Sequence, residues 1–231
     1  MDVQPVLPGR CSLDAPAVRG VLERLHGEAS RQRLAIVRMG TQMVLDRVLR
    51  RVASTAEQSE RAKDLYLPLG PKQGLFAYTL VRALGARRVV EFGTSVGVST
   101  VYLAAGVRDN GGGLVIGSEL DAGKVRAARA NLADAGLADL VEVREGDALE
   151  TLGDAGGPVD LALLDGWKEL YLPVAQRLAP QLRPGAIVLA DNLFTFWFDL
   201  QPYVAWMGDP ANGFRSLTLA LGDGMECSLR L

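Results

Sequence analysis

The 231-residue sequence contains little cysteine and almost no histidine, and this scarcity removes several kinds of site. Cys11 and Cys227 stand near opposite ends and lack the paired spacing of a zinc ribbon or a thiol redox centre. His26 is the single histidine, so any mechanism that needs a histidine base would have to use it. It lies among leucines in a helix-like stretch, where packing or surface exposure is the ordinary interpretation.

Charge of one sign and long apolar runs are also lacking. The formal net charge is −2, whereas proteins that bind nucleic acid through its phosphates are usually basic. No apolar run approaches the roughly 18 residues that a membrane helix needs. Residues 1–5 lack the basic and apolar regions of a signal peptide. We therefore expect a cytoplasmic protein that binds neither nucleic acid nor membrane.

The hydrophobic content of 48% is that of a folded chain with a buried core. Apolar residues recur near a helical period over 13–64, and we expect residues 1–64 to form a helical cover. Over 65–231, short apolar runs alternate with helix-like segments such as 168–182, which predicts a doubly wound α/β domain on a mostly parallel sheet. Near the end, two strand-like runs flank a Gly-Asp-Gly turn at 222–224 and predict an antiparallel hairpin.

A glycine-containing loop, residues 91–99, follows the first of these apolar runs. Ligands bind at the carboxyl ends of strands in open α/β sheets, and Gly93 and Gly97 would let the backbone approach one. Their G-x-x-x-G spacing is not the G-x-G-x-x-G of dinucleotide binders. Glu91 would repel a pyrophosphate but suits an amino-bearing ligand. Glu119 ends the second run, where a carboxylate can accept both hydroxyls of a ribose. The alternative interpretation is a tight turn beside a solvated acid.

Two later runs also end in acids, Asp165 and Asp191, the second followed by Asn192. If their strands flank the first, these side chains converge, and carboxylate and amide oxygens suit Mg²⁺. Helix capping is the alternative. Lys168 beside a divalent cation would have its ammonium form disfavoured, and it could act as a base near neutral pH. A solvated lysine is its alternative. Trp167 could stack on a purine or pack in the core.

Together these motifs resemble the catechol O-methyltransferases. That family is metal-dependent, belongs to the class I O-methyltransferases that use S-adenosylmethionine, and is related to the caffeoyl-CoA O-methyltransferases. The resemblance covers about 65–231 and rests on Glu91-x-Gly93-x-x-x-Gly97-x-Ser99, Glu119, Asp165-x-Trp167-Lys168-x-x-Tyr171-Leu172-Pro173 and Ala190-Asp191-Asn192. It implies a Rossmann-like class I methyltransferase fold with a seven-stranded, mostly parallel sheet, a C-terminal antiparallel hairpin and an N-terminal helical cover.

The resemblance also implies roles for individual residues. Cofactor contacts fall on Leu69, Glu91, Gly93, Thr94, Ser95, Ser99, Glu119, Gly146, Ala148, Asp165 and Trp167. Glu119 would hold the ribose, and Gly146, Ala148 and Trp167 would surround the adenine. Mg²⁺ or another divalent cation would bind Asp165, Asp191 and Asn192. Lys168 would deprotonate the acceptor hydroxyl. The family's glutamate on the penultimate strand is missing here, since 216–218 reads Ser-Leu-Thr.

The implied activity is Mg²⁺-dependent methyl transfer from S-adenosylmethionine to a hydroxyl of a small aromatic with two neighbouring oxygens, by a possible homodimer. Aromatic residues after Asn192 could wall the acceptor pocket or pack under the helical cover; they are Phe194, Phe196, Trp197, Phe198, Tyr203 and Trp206. Three other functions stay open. A metal-independent methyltransferase would make the acidic cluster structural. An NAD-dependent oxidoreductase is disfavoured by the glycine spacing, and a non-catalytic binding module by the intact set of acids and lysine.

Overall fold

The computed structural model describes residues 11–32, 38, 41–42 and 68–231. In this part of the chain, seven strands form one sheet in the order β3-β2-β1-β4-β5-β7-β6. The strands are β1 Arg88–Phe92, β2 Leu114–Glu119, β3 Val141–Glu145, β4 Val159–Leu164, β5 Leu182–Ala190, β6 Phe214–Leu219 and β7 Met225–Arg230. β1 to β5 pair in parallel, and β7 runs antiparallel to both β5 and β6. The predicted Rossmann-like fold and its C-terminal hairpin are confirmed.

Helices cover both faces of the sheet. They are α1 Pro16–Arg31, α2 Pro71–Ala83, α3 Val98–Asp109, α4 Ala122–Asp134, α5 Ala148–Thr151, α6 Tyr171–Leu178 and α7 Trp197–Gly208. One core cluster joins α1 to α4 with one face of the sheet, through residues such as Val89 and Leu163. The other joins α5 to α7 with the opposite face, through residues such as Val90 and Leu164. The central strands β1, β2 and β4 are buried on both faces, which explains why their sequences are mostly apolar.

The predicted helix over 168–182 was too long. The structure divides it into a 3₁₀ turn at Lys168–Leu170, the helix α6, a second 3₁₀ turn at Ala179–Gln181 and the first residue of β5. Pro180 lies in the second turn and lacks the N–H that a continuing helix would need, so α6 ends at Leu178. Of the predicted segment only Leu182 belongs to β5, whose nine residues make it the longest strand described.

Within the described residues, α1 is the only long helix of the expected N-terminal helical cover. Val18, Leu22 and Leu25 of this helix are buried in the same cluster as α3 and α4. Most of 33–67, including much of the helical pattern predicted over 13–64, lies outside the described residues. The division into 1–64 and 65–231 stays a prediction, as do the homodimer and the cytoplasmic location. In the parts of the chain that the structure describes, no helix is long and apolar enough to cross a membrane.

Candidate active site

Backbone hydrogen bonds place the predicted site residues along one edge of the sheet. The N–H of Asp165 donates to the Phe92 carbonyl at 2.8 Å, and the N–H of Asp191 donates to the Leu164 carbonyl at 3.1 Å. Each bond continues a parallel ladder one step beyond a strand end. The carboxyl ends of β1, β4 and β5 therefore lie side by side, at the point where the strand order reverses between β1 and β4.

The glycine loop runs close against the loop after β4. Gly93 has φ 95°, and a Cβ there would lie 2.6 Å from the Gly166 nitrogen, so only glycine allows this approach. Gly97 is also left-handed, with φ 91°, and leads into α3. Ser99, in the first turn of α3, is buried. Ser95 is one of two non-glycine residues with positive φ in the described chain, so the loop is strained beside the site.

Glu91 is fully buried at the base of this loop. One carboxylate oxygen accepts hydrogen bonds from the hydroxyls of Thr94 at 3.1 Å and Thr100 at 2.5 Å. The Ser99 hydroxyl also interacts with this carboxylate, whereas the buried Ser95 hydroxyl has no hydrogen-bond partner among the described residues. Burial raises the pKa of Glu91. A carboxylate can accept about four hydrogen bonds, so Glu91 retains acceptor capacity for a ligand that brings a donor.

Glu119 is held by two backbone groups at the end of β2. Its Oε2 accepts from the Ser95 N–H at 2.8 Å, and its Oε1 accepts from the Asp121 N–H at 2.9 Å. Its own carbonyl accepts from the Gly146 N–H at 3.0 Å, which brings the end of β3 beside it. Ala148 follows as the first residue of α5 and is buried. The structure thus brings together the residues predicted to hold a ribose and an adenine.

Two other predicted cofactor contacts lie at the ends of neighbouring segments. Trp167 is half-buried in the loop between β4 and the 3₁₀ turn, directly after Gly166. Leu69 is buried just before α2. These placements agree with a ligand at this edge of the sheet, and the roles of both residues stay predictions.

Lys168 is almost buried between an acid and a tyrosine. Its Nζ lies 3.6 Å from Asp165 Oδ1, and the exposed fractions of the two side chains are 12% and 13%. Nζ also donates a hydrogen bond of 2.7 Å to the Tyr171 hydroxyl. Desolvation lowers the pKa of Lys168, against the opposite effect of Asp165 and Asp191. A lysine in this environment can lose and regain a proton more readily than a solvated one.

Asp191 is buried at the end of β5, with its carboxylate oxygens bound by two amides. Gln73 Nε2 donates to Oδ1 at 2.6 Å, and Asn192 Nδ2 lies 3.3 Å from Oδ2. Asn192 has φ 64°, a left-handed conformation that asparagine tolerates. Sequence reasoning missed Gln73. The available signal was a polar residue in the first turn of α2, beside the predicted cofactor residue Leu69.

The donor set fits a hard divalent cation. Burial is the main cause that raises the pKa of both Asp165 and Asp191, and the Asp191 charge raises that of Asp165 further. A bound cation would relieve both penalties. The described residues contain no group of three or more His, Cys, Asp or Glu able to hold a metal. A Mg²⁺ site here would therefore use two carboxylates, the Asn192 amide oxygen and oxygens from outside the protein.

The aromatic residues after Asn192 divide into two groups. Tyr203 is 1% exposed and packs edge-on against Tyr171, and Trp206 packs on Phe214. Tyr203 therefore belongs to the core and Trp206 is partly buried against it, so both pack on the sheet face covered by α5 to α7. Phe194, Trp197 and Phe198 follow Asn192 in the sequence and are exposed, with exposed fractions of 52%, 42% and 73%. The Phe196 ring centroid lies 5.5 Å from Lys168 Nζ.

The sheet order and the glycine loop followed by strand-end acids define a class I methyltransferase fold. A family model described as a methyltransferase domain matches residues 90–193. The catechol O-methyltransferase of Mycobacterium tuberculosis is 40% identical over 146 residues, which cover 62% of this chain and 64% of that protein. Cofactor-bound Rv0187 from MTB is 31% identical with a TM-score of 0.67, covering 82% of this chain and 95% of that one.

A further solved structure, the O-methyltransferase from Bacillus cereus in complex with SAH, is 26% identical with a TM-score of 0.67 and covers 82% of this chain and 96% of that one. The chain belongs to the catechol O-methyltransferase-like family of class I S-adenosylmethionine-dependent methyltransferases. It spans less than two thirds of the length of the curated relatives that it matches.

Proposed function

We propose that the chain is a Mg²⁺-dependent O-methyltransferase that uses S-adenosylmethionine and acts on a small aromatic with two neighbouring oxygens. The main support for this proposal is the position of Lys168, which is nearly buried between Asp165 and Tyr171. Asp191 follows a strand at the same edge of the sheet. The names of the relatives, catechol and caffeoyl-CoA O-methyltransferases, support the reaction class. A crystal structure of a relative in complex with SAH supports the cofactor.

The proposed roles of the site residues follow from their positions. Glu91 and Glu119 offer acceptor oxygens to amino and hydroxyl groups of the cofactor, which supplies the methyl group. Asp165, Asp191 and Asn192 would hold Mg²⁺, which lowers the pKa of an oxygen bound to it. Lys168 Nζ would accept the proton of the acceptor hydroxyl, and burial favours its neutral form for that step. Orientation of two bound reactants would supply several kcal/mol of the barrier reduction.

The acceptor is proposed by class and not as free catechol. β6 carries Ser216-Leu217-Thr218 where the catechol O-methyltransferases carry a glutamate, and the Thr218 hydroxyl donates to Glu226 at 2.7 Å. No carboxylate of β6 is therefore offered to a second hydroxyl. The exposed rings of Phe194, Trp197 and Phe198 support a flat aromatic acceptor with further substituents.

The decisive experiment compares ortho-dihydroxy aromatics with their meta isomers, with S-adenosylmethionine present and the methylated product detected by mass spectrometry. Activity should require the ortho arrangement, disappear in EDTA and return with Mg²⁺. Asp191→Ala should abolish this activity and keep S-adenosylhomocysteine binding, whereas Asp139→Ala, an exposed aspartate, should match the wild type. Full turnover in EDTA would identify a metal-independent methyltransferase instead. Calorimetric binding of NAD without binding of S-adenosylhomocysteine would place the chain among oxidoreductases.

A further inference from the structure

Gln73 is a buried polar residue on a helix face that is otherwise apolar. It is 7% exposed, and Gly74, Ala77 and Val81 are buried on the same helix α2. An amide in such a position costs free energy unless it is hydrogen-bonded. Its Nε2 donates to Asp191 Oδ1 at 2.6 Å, across 118 residues of sequence. The contact therefore links the start of α2 to the end of β5, inside the proposed active site.

The amide of Gln73 is fixed in orientation. Its Oε1 accepts a hydrogen bond of 3.2 Å from the N–H of Gly70, which precedes α2. Because the carbonyl end is used in this way, the NH₂ end points to Asp191. The side chain thus presents a donor, and no charge, to the Asp191 carboxylate.

The turn between β6 and β7 closes on the same amide. Gly222 has φ 60°, and a Cβ at this position would lie 2.3 Å from Gln73 Nε2. A separate hydrogen bond joins this turn to the loop after Asn192, since the Leu193 N–H donates to the Gly224 carbonyl at 3.0 Å. Gln73 is therefore enclosed by three segments, and its side chain has little freedom to leave Asp191.

We infer that Gln73 is a positioning residue that orients the Asp191 carboxylate for a divalent cation. The inference rests on the proposed function, because it takes Asp191 to be a cation ligand. The Gln73 amide fixes Asp191 Oδ1, and the adjoining Asn192 amide lies 3.3 Å from Oδ2, so the remaining lone pairs of the carboxylate keep a defined direction. Groups that hold a metal ligand in this way commonly change metal affinity by about 10- to 100-fold when they are removed. The neutral amide performs this role without repelling the cation.

The test measures Mn²⁺ binding by calorimetry to the full chain saturated with S-adenosylhomocysteine. Gln73→Met keeps the approximate volume and removes the donor, so we expect its Mn²⁺ affinity to fall about 10- to 100-fold. Affinity for S-adenosylhomocysteine should stay unchanged, because Gln73 contacts neither Glu91 nor Glu119 in the described hydrogen bonds. Gln201→Met, an exposed glutamine on α7, is the matched control and should bind Mn²⁺ like the wild type.

A second pair of variants guards against a folding defect in Gln73→Met. Gly222→Ala would push its new methyl group into the Gln73 amide, so we expect it to weaken Mn²⁺ binding in the wild-type background. In the Gln73→Ala background the amide is gone, and Gly222→Ala should weaken Mn²⁺ binding no further. Equal losses in both backgrounds would overturn the inference, since Gly222 would then act without Gln73.

Two further outcomes separate this inference from the proposed function. If Asp191→Ala abolishes Mn²⁺ binding while Gln73→Met binds like the wild type, Gln73 serves packing only and the inference alone is wrong. If the wild type binds no Mn²⁺, or Asp191→Ala binds it unchanged, Asp191 is not a cation ligand. The metal part of the proposed function then fails, and the role of Gln73 fails with it.

Discussion

Lys168 donates a hydrogen bond of 2.7 Å to the hydroxyl of Tyr171, and that hydroxyl donates in turn to the Asp191 backbone carbonyl at 3.2 Å. Tyr171 is fully buried, and its ring packs edge-on against Phe92 and Tyr203. The core therefore fixes the tyrosine, and the tyrosine fixes the direction of the lysine. The position of Lys168, the proposed base, is therefore set by the packed tyrosine and by the ion pair with Asp165.

Tyr171→Phe should lower kcat about tenfold, because a hydrogen bond that directs a reacting group contributes roughly 1 to 1.5 kcal/mol. KM for the acceptor and affinity for S-adenosylhomocysteine should change little. Tyr203→Phe is the matched control: the buried Tyr203 hydroxyl interacts with Ser228 and forms no hydrogen bond with Lys168 or Asp191, so its removal should leave kcat unchanged. Steady-state kinetics of both variants decide the matter, and equal kcat values for Tyr171→Phe and the wild type would contradict the role of the hydroxyl.

The strand-end acids show which part of the site the sequence could predict. Asp165 and Asp191 follow apolar runs, and parallel strands bring their carboxyl ends to one edge, so convergence is predicted on the condition that β4 and β5 lie near β1. The strand order meets that condition, with β4 beside β1 and β5 beside β4. Gln73 could not be found in this way. A polar residue in the first turn of α2 marks a candidate, but its partner depends on how α2 is rotated and on where the β6–β7 turn folds back.

The aromatic segment after Asn192 shows a different limit. α7 begins at Trp197 and contains Pro202 in its interior, so its sequence does not have the pattern of an ordinary helix. Without the helix, exposed and buried aromatic residues cannot be separated. Tyr203 faces the core and Phe198 faces outward because they lie on different sides of α7, and only the fold assigns those sides.

The two backbone donors on Glu119 lead to a prediction for cofactor binding. Glu119→Ala should weaken S-adenosylhomocysteine binding at least tenfold, since it removes acceptor oxygens and releases the Ser95 N–H from its partner. Glu145→Ala is the matched control, because Glu145 pairs with Glu119 at the end of the next strand and is exposed. Isothermal calorimetry on both variants is the measurement. Equal affinities in the two would show that Glu119 does not contact the cofactor.

The close approach of Gly93 to the loop after β4 predicts a local defect. Gly93→Ala would place a methyl group 2.6 Å from the Gly166 nitrogen at a φ that alanine disfavours, which should destabilise the fold by about 1 to 3 kcal/mol. It should also displace Asp165 and weaken cofactor binding. Gly20→Ala, in an open position on α1, should instead stabilise by up to about 1 kcal/mol. Urea unfolding measures both, and a neutral Gly93→Ala would mean that the loops are free to separate.

Glu226 on β7 provides a prediction for pH. Its carboxylate is 2% exposed and accepts a hydrogen bond of 2.7 Å from the Thr218 hydroxyl, and burial raises its pKa. The folded state thus favours the protonated form. This contribution to stability is present below the ordinary carboxyl pKa of about 4.3 and is lost as pH rises through the folded pKa. Glu226→Gln keeps an acceptor for Thr218 and carries no charge, so its advantage over the wild type should be absent near pH 4. It should grow to on the order of 1 kcal/mol at pH 8.

Urea unfolding of Glu226→Gln and the wild type at several pH values gives the difference in the free energy of unfolding directly. Glu142→Gln is the control of opposite sign, because Arg144 lies 2.9 Å from Glu142 and lowers its pKa. Loss of that ion pair should destabilise the fold at pH values above about 4. The effect should be small, since the Glu142 side chain is 50% exposed. If the advantage of Glu226→Gln were the same at pH 4 and pH 8, the buried carboxyl would not change its protonation in this range. Its burial would then not be the cause of any pH dependence of folding.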